Sequence, residues 1–190
     1  MRFGYALLLA GALSLGIGAQ AQAAGFTAQK AGNTTIEIPS DWQVLPEAML
    51  QQLAQSSGAN ILLLAQGPDQ GMPKLTVIQN PDPATQEAFL KLDKAQTDAL
   101  CKQFNGNLEG QFGKGKVEAS CSKVENKGVA ALATQMTIPA QGNRPEIVNM
   151  TWTYPNGGKG VAVSAMFLKK DSKKFAADVK KSLQSVKFNK

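Results

Sequence analysis

Between residues 116 and 168 the chain alternates in side-chain character through four successive segments, and this limits its fold more than any other feature. The segments span 116–124, 129–139, 145–154 and 160–168. In the third, Val148, Met150, Trp152 and Tyr154 fall on one side, while Ile147, Asn149, Thr151 and Thr153 fall on the other, as successive residues of a strand do. Ala130, Leu132, Thr134, Met136 and Ile138 share a side in the second, and Val161, Val163, Ala165 and Phe167 in the fourth. Asn126-Lys127-Gly128 and Pro155-Asn156-Gly157-Gly158 supply turns between neighbours. The pattern predicts an antiparallel four-strand meander with one face on a core.

The remaining segments fit around that meander. Residues 26–29 and 34–38 form a hairpin about Ala31-Gly32-Asn33, closed by Pro39. Pro46 opens a helix whose apolar stripe is Met49, Leu50, Leu53 and Ala54, ending at Gly58. Residues 60–66 and 74–79 read as a second strand pair, interrupted over 67–73 by Gly-Pro and Met-Pro. Asp82-Pro83 starts one long helix carrying Phe89, Leu92, Ala99, Leu100 and Phe104, which Asn105-Gly106 should stop before a mobile glycine-rich connection over 106–115. A last helix begins at Asp171 or Ser172 and repeats Phe175, Val179 and Leu183. The expected fold class is α+β, an antiparallel sheet flanked by helices in an α/β/α sandwich.

The N-terminus reads as an export signal. Met1-Arg2 is followed by a small, apolar run over 5–19, and Ala21-Gln22-Ala23 fits a cleavage site, placing the cut after Ala23. Residues 24–190 are then a single domain, long enough to bury a core without metal. Nothing later is apolar over enough residues to span a bilayer as a helix, so the mature chain is expected in the periplasm or secreted.

Histidine is absent, which removes the commonest general base, the histidine-dependent triads, and the usual zinc and haem ligand. Carboxylates form no compelling pair, no calcium-loop spacing occurs, and Gly113-Lys114-Gly115-Lys116 lacks the spacing of a phosphate loop. The reading is therefore no catalytic residue, no cofactor and no metal. Cys101 and Cys121, the two cysteines, read as one structural disulfide between the long helix and the strand over 116–124. Eight lysines lie between Lys169 and Lys190, opposed by Asp171 and Asp178. They form a local stripe whose plain explanation is the solvated face of the last helix, with contact to anionic lipid or an acidic partner as the alternative. Nucleic acid is not an expected target, because the stripe lacks exposed aromatics and an exported chain rarely meets one.

The segment Thr35-Ile36-Glu37-Ile38-Pro39-Ser40-Asp41-Trp42, the central meander, and the closing helix before Val186-Lys187-Phe188 together resemble the PsbP-like (Mog/PsbP-type) fold. That resemblance implies a binding or accessory module without chemistry of its own. The leading expectation is an exported, non-enzymatic protein acting in envelope assembly or stress tolerance, its partner another envelope or secreted protein. The first alternative is a small-molecule or lipid-binding protein with an apolar groove beside Trp152, and the second a histidine-free hydrolase. Trp42 is expected to plug the edge of the core, and Trp152 and Tyr154 to line the core or a groove. With Lys173, Lys174, Lys180 and Lys181 these aromatics make up the candidate binding surface.

Overall fold

The computed structural model describes residues 25–69, 72–80 and 85–189. The export segment and its cleavage site lie outside the described residues, as does the Asp82-Pro83 cap.

The N-terminal hairpin pairs β1 (Phe26–Ala31) with β2 (Thr34–Pro39), and β10 (Lys187–Phe188) adds to the other edge of β2. A two-residue strand, β3 (Gln43–Val44), precedes α1 (Glu47–Ser57), for which Pro46 serves as the N-cap. The strands β4 (Asn60–Asp69) and β5 (Met72–Asn80) pair as far as Asp69 and Met72, so the Gly-Pro break ends no strand. Next come α2 (Gln86–Lys91) and α3 (Lys94–Phe112), then β6 (Ala119–Asn126), β7 (Val129–Ile138), β8 (Ile147–Asn156) and β9 (Lys159–Leu168). The helix α4 (Ser172–Gln184) begins where the sequence places it.

β3 to β9 form one antiparallel sheet in the order β3-β4-β5-β9-β8-β7-β6. The predicted meander occupies one half, and the β4–β5 hairpin joins it through β5 and β9. To pass from β5 in the middle to β6 at the edge, the chain must cross the sheet. The segment holding α2 and α3 makes that crossing.

The first sheet face carries the main core. Val148, Trp152 and Tyr154 of β8 meet Val161, Val163 and Phe167 of β9, under Phe175, Val179 and Leu183 of α4. Ile36 and Ile38 of β2 close the same core from the small sheet. A second, smaller cluster of Leu108, Val117 and Ala119 lies beneath α3 on the opposite face, with Phe104, Phe112 and Met136 packed against it. The fold is α+β with helices on both faces of the sheet. Among the described residues, no helix is long and apolar enough to cross a membrane.

Two expectations for the crossover are corrected. The predicted single helix is two helices, because the Asp93 carboxylate accepts from the Gln96 N–H at 2.8 Å while the Gln96 side chain accepts from the Asp93 N–H at 3.1 Å. This reciprocal capping starts a new helix in the middle of the apolar stripe. The expected stop at Asn105-Gly106 does not occur, and α3 continues to Phe112, so most of the presumed loop is helical. A glycine or asparagine commonly ends a helix by taking positive φ, and within this crossover positive φ first appears at Gly113, past Asn105 and Gly106.

Candidate functional site: a cleft under the crossover helix

β8 decides where a site can form, because its two faces have different neighbours. Trp152 lies opposite Ala133 on β7 and Val163 on β9, all three facing the main core. It is 7% exposed, and its ring centre lies 6.2 Å from that of Tyr154. The fully buried Tyr154 meets the Phe188 ring edge-on and donates its hydroxyl to the Leu183 carbonyl at 2.7 Å. Burial pushes its phenol well above the usual range, and a hydrogen bond from Asn126 opposes that only in part. Trp42 is likewise enclosed in the main core.

The groove expected beside Trp152 is therefore not on that side: α4 and β2 fill it. A cavity of about 390 Å³ opens instead on the reverse face of the same strands. Leu100, Gln103, Phe104 and Asn107 of α3 form one wall, spaced so that all four lie on one helix face. The facing wall uses Leu132, Thr134 and Met136 of β7 and Asn149, Thr151 and Thr153 of β8, and Cys121 bounds the β6 side. The volume falls within the ~300–1,000 Å³ usual for small-ligand sites.

Two adjacent attachments fix the helical wall. The Cys101 and Cys121 sulfurs lie at bonding distance, 2.09 Å, and tie α3 to β6. One turn on, the Asn105 side chain hydrogen-bonds the Ala119 backbone. Leu100 and Phe104 belong to the apolar stripe that the sequence predicts at helical spacing. Phe104 does pack on the lower cluster, whereas Leu100 remains 39% exposed at the rim.

The cavity floor is polar, and its Asn149 and Thr151 side chains are bonded to each other and to Ser164 of β9, which stands beside the lining. Asn149 Nδ2 donates to Ser164 Oγ at 3.0 Å, Thr151 Oγ1 donates to Asn149 Oδ1 at 3.0 Å, and the two hydroxyls lie 2.9 Å apart. With the Thr151 proton on Asn149, the Ser164 proton closes a three-membered ring onto Thr151. Thr134, Thr151, Ser164 and Thr76 stand in one register row across β7, β8, β9 and β5. The sequence signal for this floor was the set Asn149, Thr151 and Thr153, legible as the second face of β8 but not as a cavity lining.

The lysine candidates divide. Lys174 Nζ sits 2.7 Å from Asp69 and 4.6 Å above the Phe175 ring, and the Asp69 hydrogen bond raises its pKa. Lys181 Nζ lies 3.7 Å over the Phe26 ring. Both cations thus tie α4 to neighbouring elements, while Lys173 and Lys180 face solvent. None of the four approaches the cavity. Among the described residues no three histidine, cysteine or acidic side chains gather as a metal site would require.

A seven-stranded antiparallel sheet with a small hairpin sheet and α4 on one face, and a crossover helix on the other, defines the class: this is the PsbP-like fold. The solution structure of cyanobacterial PsbP (CyanoP) from Synechocystis sp. PCC 6803 is similar over 92% of this chain and 98% of its own, with a TM-score of 0.59 at 10% identity. The crystal structure of LpqN from Mycobacterium tuberculosis, a protein described as involved in cell envelope biogenesis, covers 87% of this chain and 91% of its own, with a TM-score of 0.52 at 14% identity. No family model matches the sequence. No curated protein matches it either.

Proposed function

We propose that this chain is an exported, non-enzymatic accessory module that acts by binding, and that the cleft between α3 and the sheet is where it binds a small molecule. The observation that supports this reading is the lining: apolar side chains on the helix and β7, hydroxyl and amide groups on the floor, and no nucleophile–base pair or carboxylate pair among them. The two-cysteine pairing at bonding distance fits an oxidising compartment such as the periplasm or the exterior. The LpqN likeness is compatible with an envelope setting.

The test is native mass spectrometry of the full chain purified gently from the envelope fraction of its source. A stoichiometric small-molecule adduct is expected, lost in Leu100→Glu, which changes an exposed rim residue. An adduct-free spectrum, or an adduct indifferent to that substitution, would discard the cleft as the site.

The outer face of α4 supports a second role. Lys173 and Lys180 are exposed on it, which favours contact with an acidic envelope protein or an anionic membrane surface. Salt-sensitive sedimentation with anionic vesicles, abolished by Lys173→Glu with Lys180→Glu, distinguishes that contact from ligand binding in the cleft.

A further inference from the structure

We infer that the ligand of this cleft is an uncharged amphiphile, its apolar part held between α3 and β7 and its hydrogen-bonding group seated on Asn149 and Thr151, the two lining members of the Asn149–Thr151–Ser164 ring. This rests on the cleft being a binding site and adds the chemistry of the occupant.

The first argument is charge. Among the described residues, every side chain lining the cavity is neutral. The cation nearest in register on the β6 side, Lys123, is committed elsewhere: its Nζ donates to the Leu90 and Leu92 carbonyls at 2.9 and 2.7 Å, where α2 ends. Lys74 shares a register row with Asn149 but lies two strands away on β5, about 10 Å at ordinary strand spacing. A carboxylate or ammonium entering the cleft would lose hydration without gaining a counter-charge, so ions are disfavoured.

The second argument is the division of the lining. Leu100, Phe104, Leu132 and Met136 offer a surface for an alkyl or ring portion. The floor opposite is polar, and its ring satisfies its own members, leaving the second Asn149 amide proton and the remaining hydroxyl lone pairs to offer. A fully apolar ligand would strip water from those groups without replacing its hydrogen bonds, whereas a hydroxyl, amide or ester group would replace them. The exposed amides of Gln103 and Asn107 give the same preference on the helical wall.

Three probes with one eight-carbon chain separate the possibilities: n-octyl β-D-glucoside below its micellar concentration, octanoate, and octyltrimethylammonium. Binding to the full disulfide-bonded chain is followed by amide chemical shifts of Leu100, Thr134 and Thr151, which line the cleft. The glucoside should shift these residues and bind at least tenfold more tightly than either ion. Gln103→Glu, an isosteric change at an exposed position, should reverse the order between the glucoside and the cation. Equal or tighter binding of octanoate or the cation to the unmodified chain overturns the uncharged class while leaving the cleft a binding site. Failure of all three probes to shift cleft residues overturns the amphiphile, and the adduct experiment above then decides separately whether the cleft binds at all.

Discussion

The Asn105 side chain pairs with Ala119 as a neighbouring strand would: its Oδ1 accepts the Ala119 N–H at 2.7 Å and its Nδ2 donates to the Ala119 carbonyl at 3.0 Å. β6 is an edge strand, so among the described residues these backbone groups have no strand partner on that side. The amide both satisfies them and blocks further strand addition there. Asn105→Leu keeps a helix-compatible side chain but leaves a buried N–H and C=O unpaired. It should cost about 1–3 kcal/mol in urea unfolding. A loss below a few tenths would show that water replaces the amide without penalty.

The disulfide acts one helical turn away from that contact. Cys101 and Cys121 are separated by 20 residues, a loop whose closure contributes about 3 kcal/mol in the chain-entropy treatment. Replacing both by serine should lower the melting temperature by several degrees and raise amide exchange in α3 more than in α4. Uniform exchange across both helices would show that the bridge stabilises the chain without holding the cleft wall.

Gly106 and Gly110 sit inside α3, where a Cβ would meet nothing within 4 Å and φ is ordinary. Alanine should stabilise the chain by about 1 kcal/mol at each position by reducing the freedom of the unfolded state. Chemical denaturation of the single and double variants measures this, and destabilisation at either site would contradict the helical assignment.

Ser182 lies on the buried side of α4 with its hydroxyl unpartnered. Ser182→Ala removes that unpaired group and adds helix propensity, so a gain of about 1 kcal/mol is expected. A loss of stability would reveal a hydrogen bond that the hydroxyl makes in solution.

Tyr154 gives the chain a defined alkaline sensitivity. Its phenol stays protonated in the fold well above the ordinary value of 10.0, so above that pH the unfolded chain releases a proton that the native chain keeps. Stability therefore falls as pH rises past about 10, by up to about 1.4 kcal/mol per pH unit. Tyr154→Phe should remove that share of the slope. At neutral pH the same variant should cost about 1–3 kcal/mol, because the Leu183 carbonyl near the C-terminal end of α4 loses its partner. An unchanged alkaline slope in the variant would rule Tyr154 out as the titrating group.

Much of the fold was legible because it depends on local periodicity. The alternation along β8 and β9, the Asn156–Lys159 turn and the repeat of Phe175, Val179 and Leu183 each express a contact pattern that neighbouring residues set together. The crossover was misread for the opposite reason. Asn105-Gly106 carries a local stop signal, but packing on β6 and the bond to Ala119 hold the helix through it.

The sequence by itself established that β8 has two unlike faces, that the chain lacks histidine chemistry, and that two cysteines are placed to join a helix to a strand. Only the tertiary structure decided which face of β8 would be filled and which left open. Period-two alternation separates Trp152 from Thr151 but does not say what covers either, since covering depends on elements far away in the chain. α4 and β2 closed over Trp152, while α3, crossing from β5 to β6, left space above Thr151.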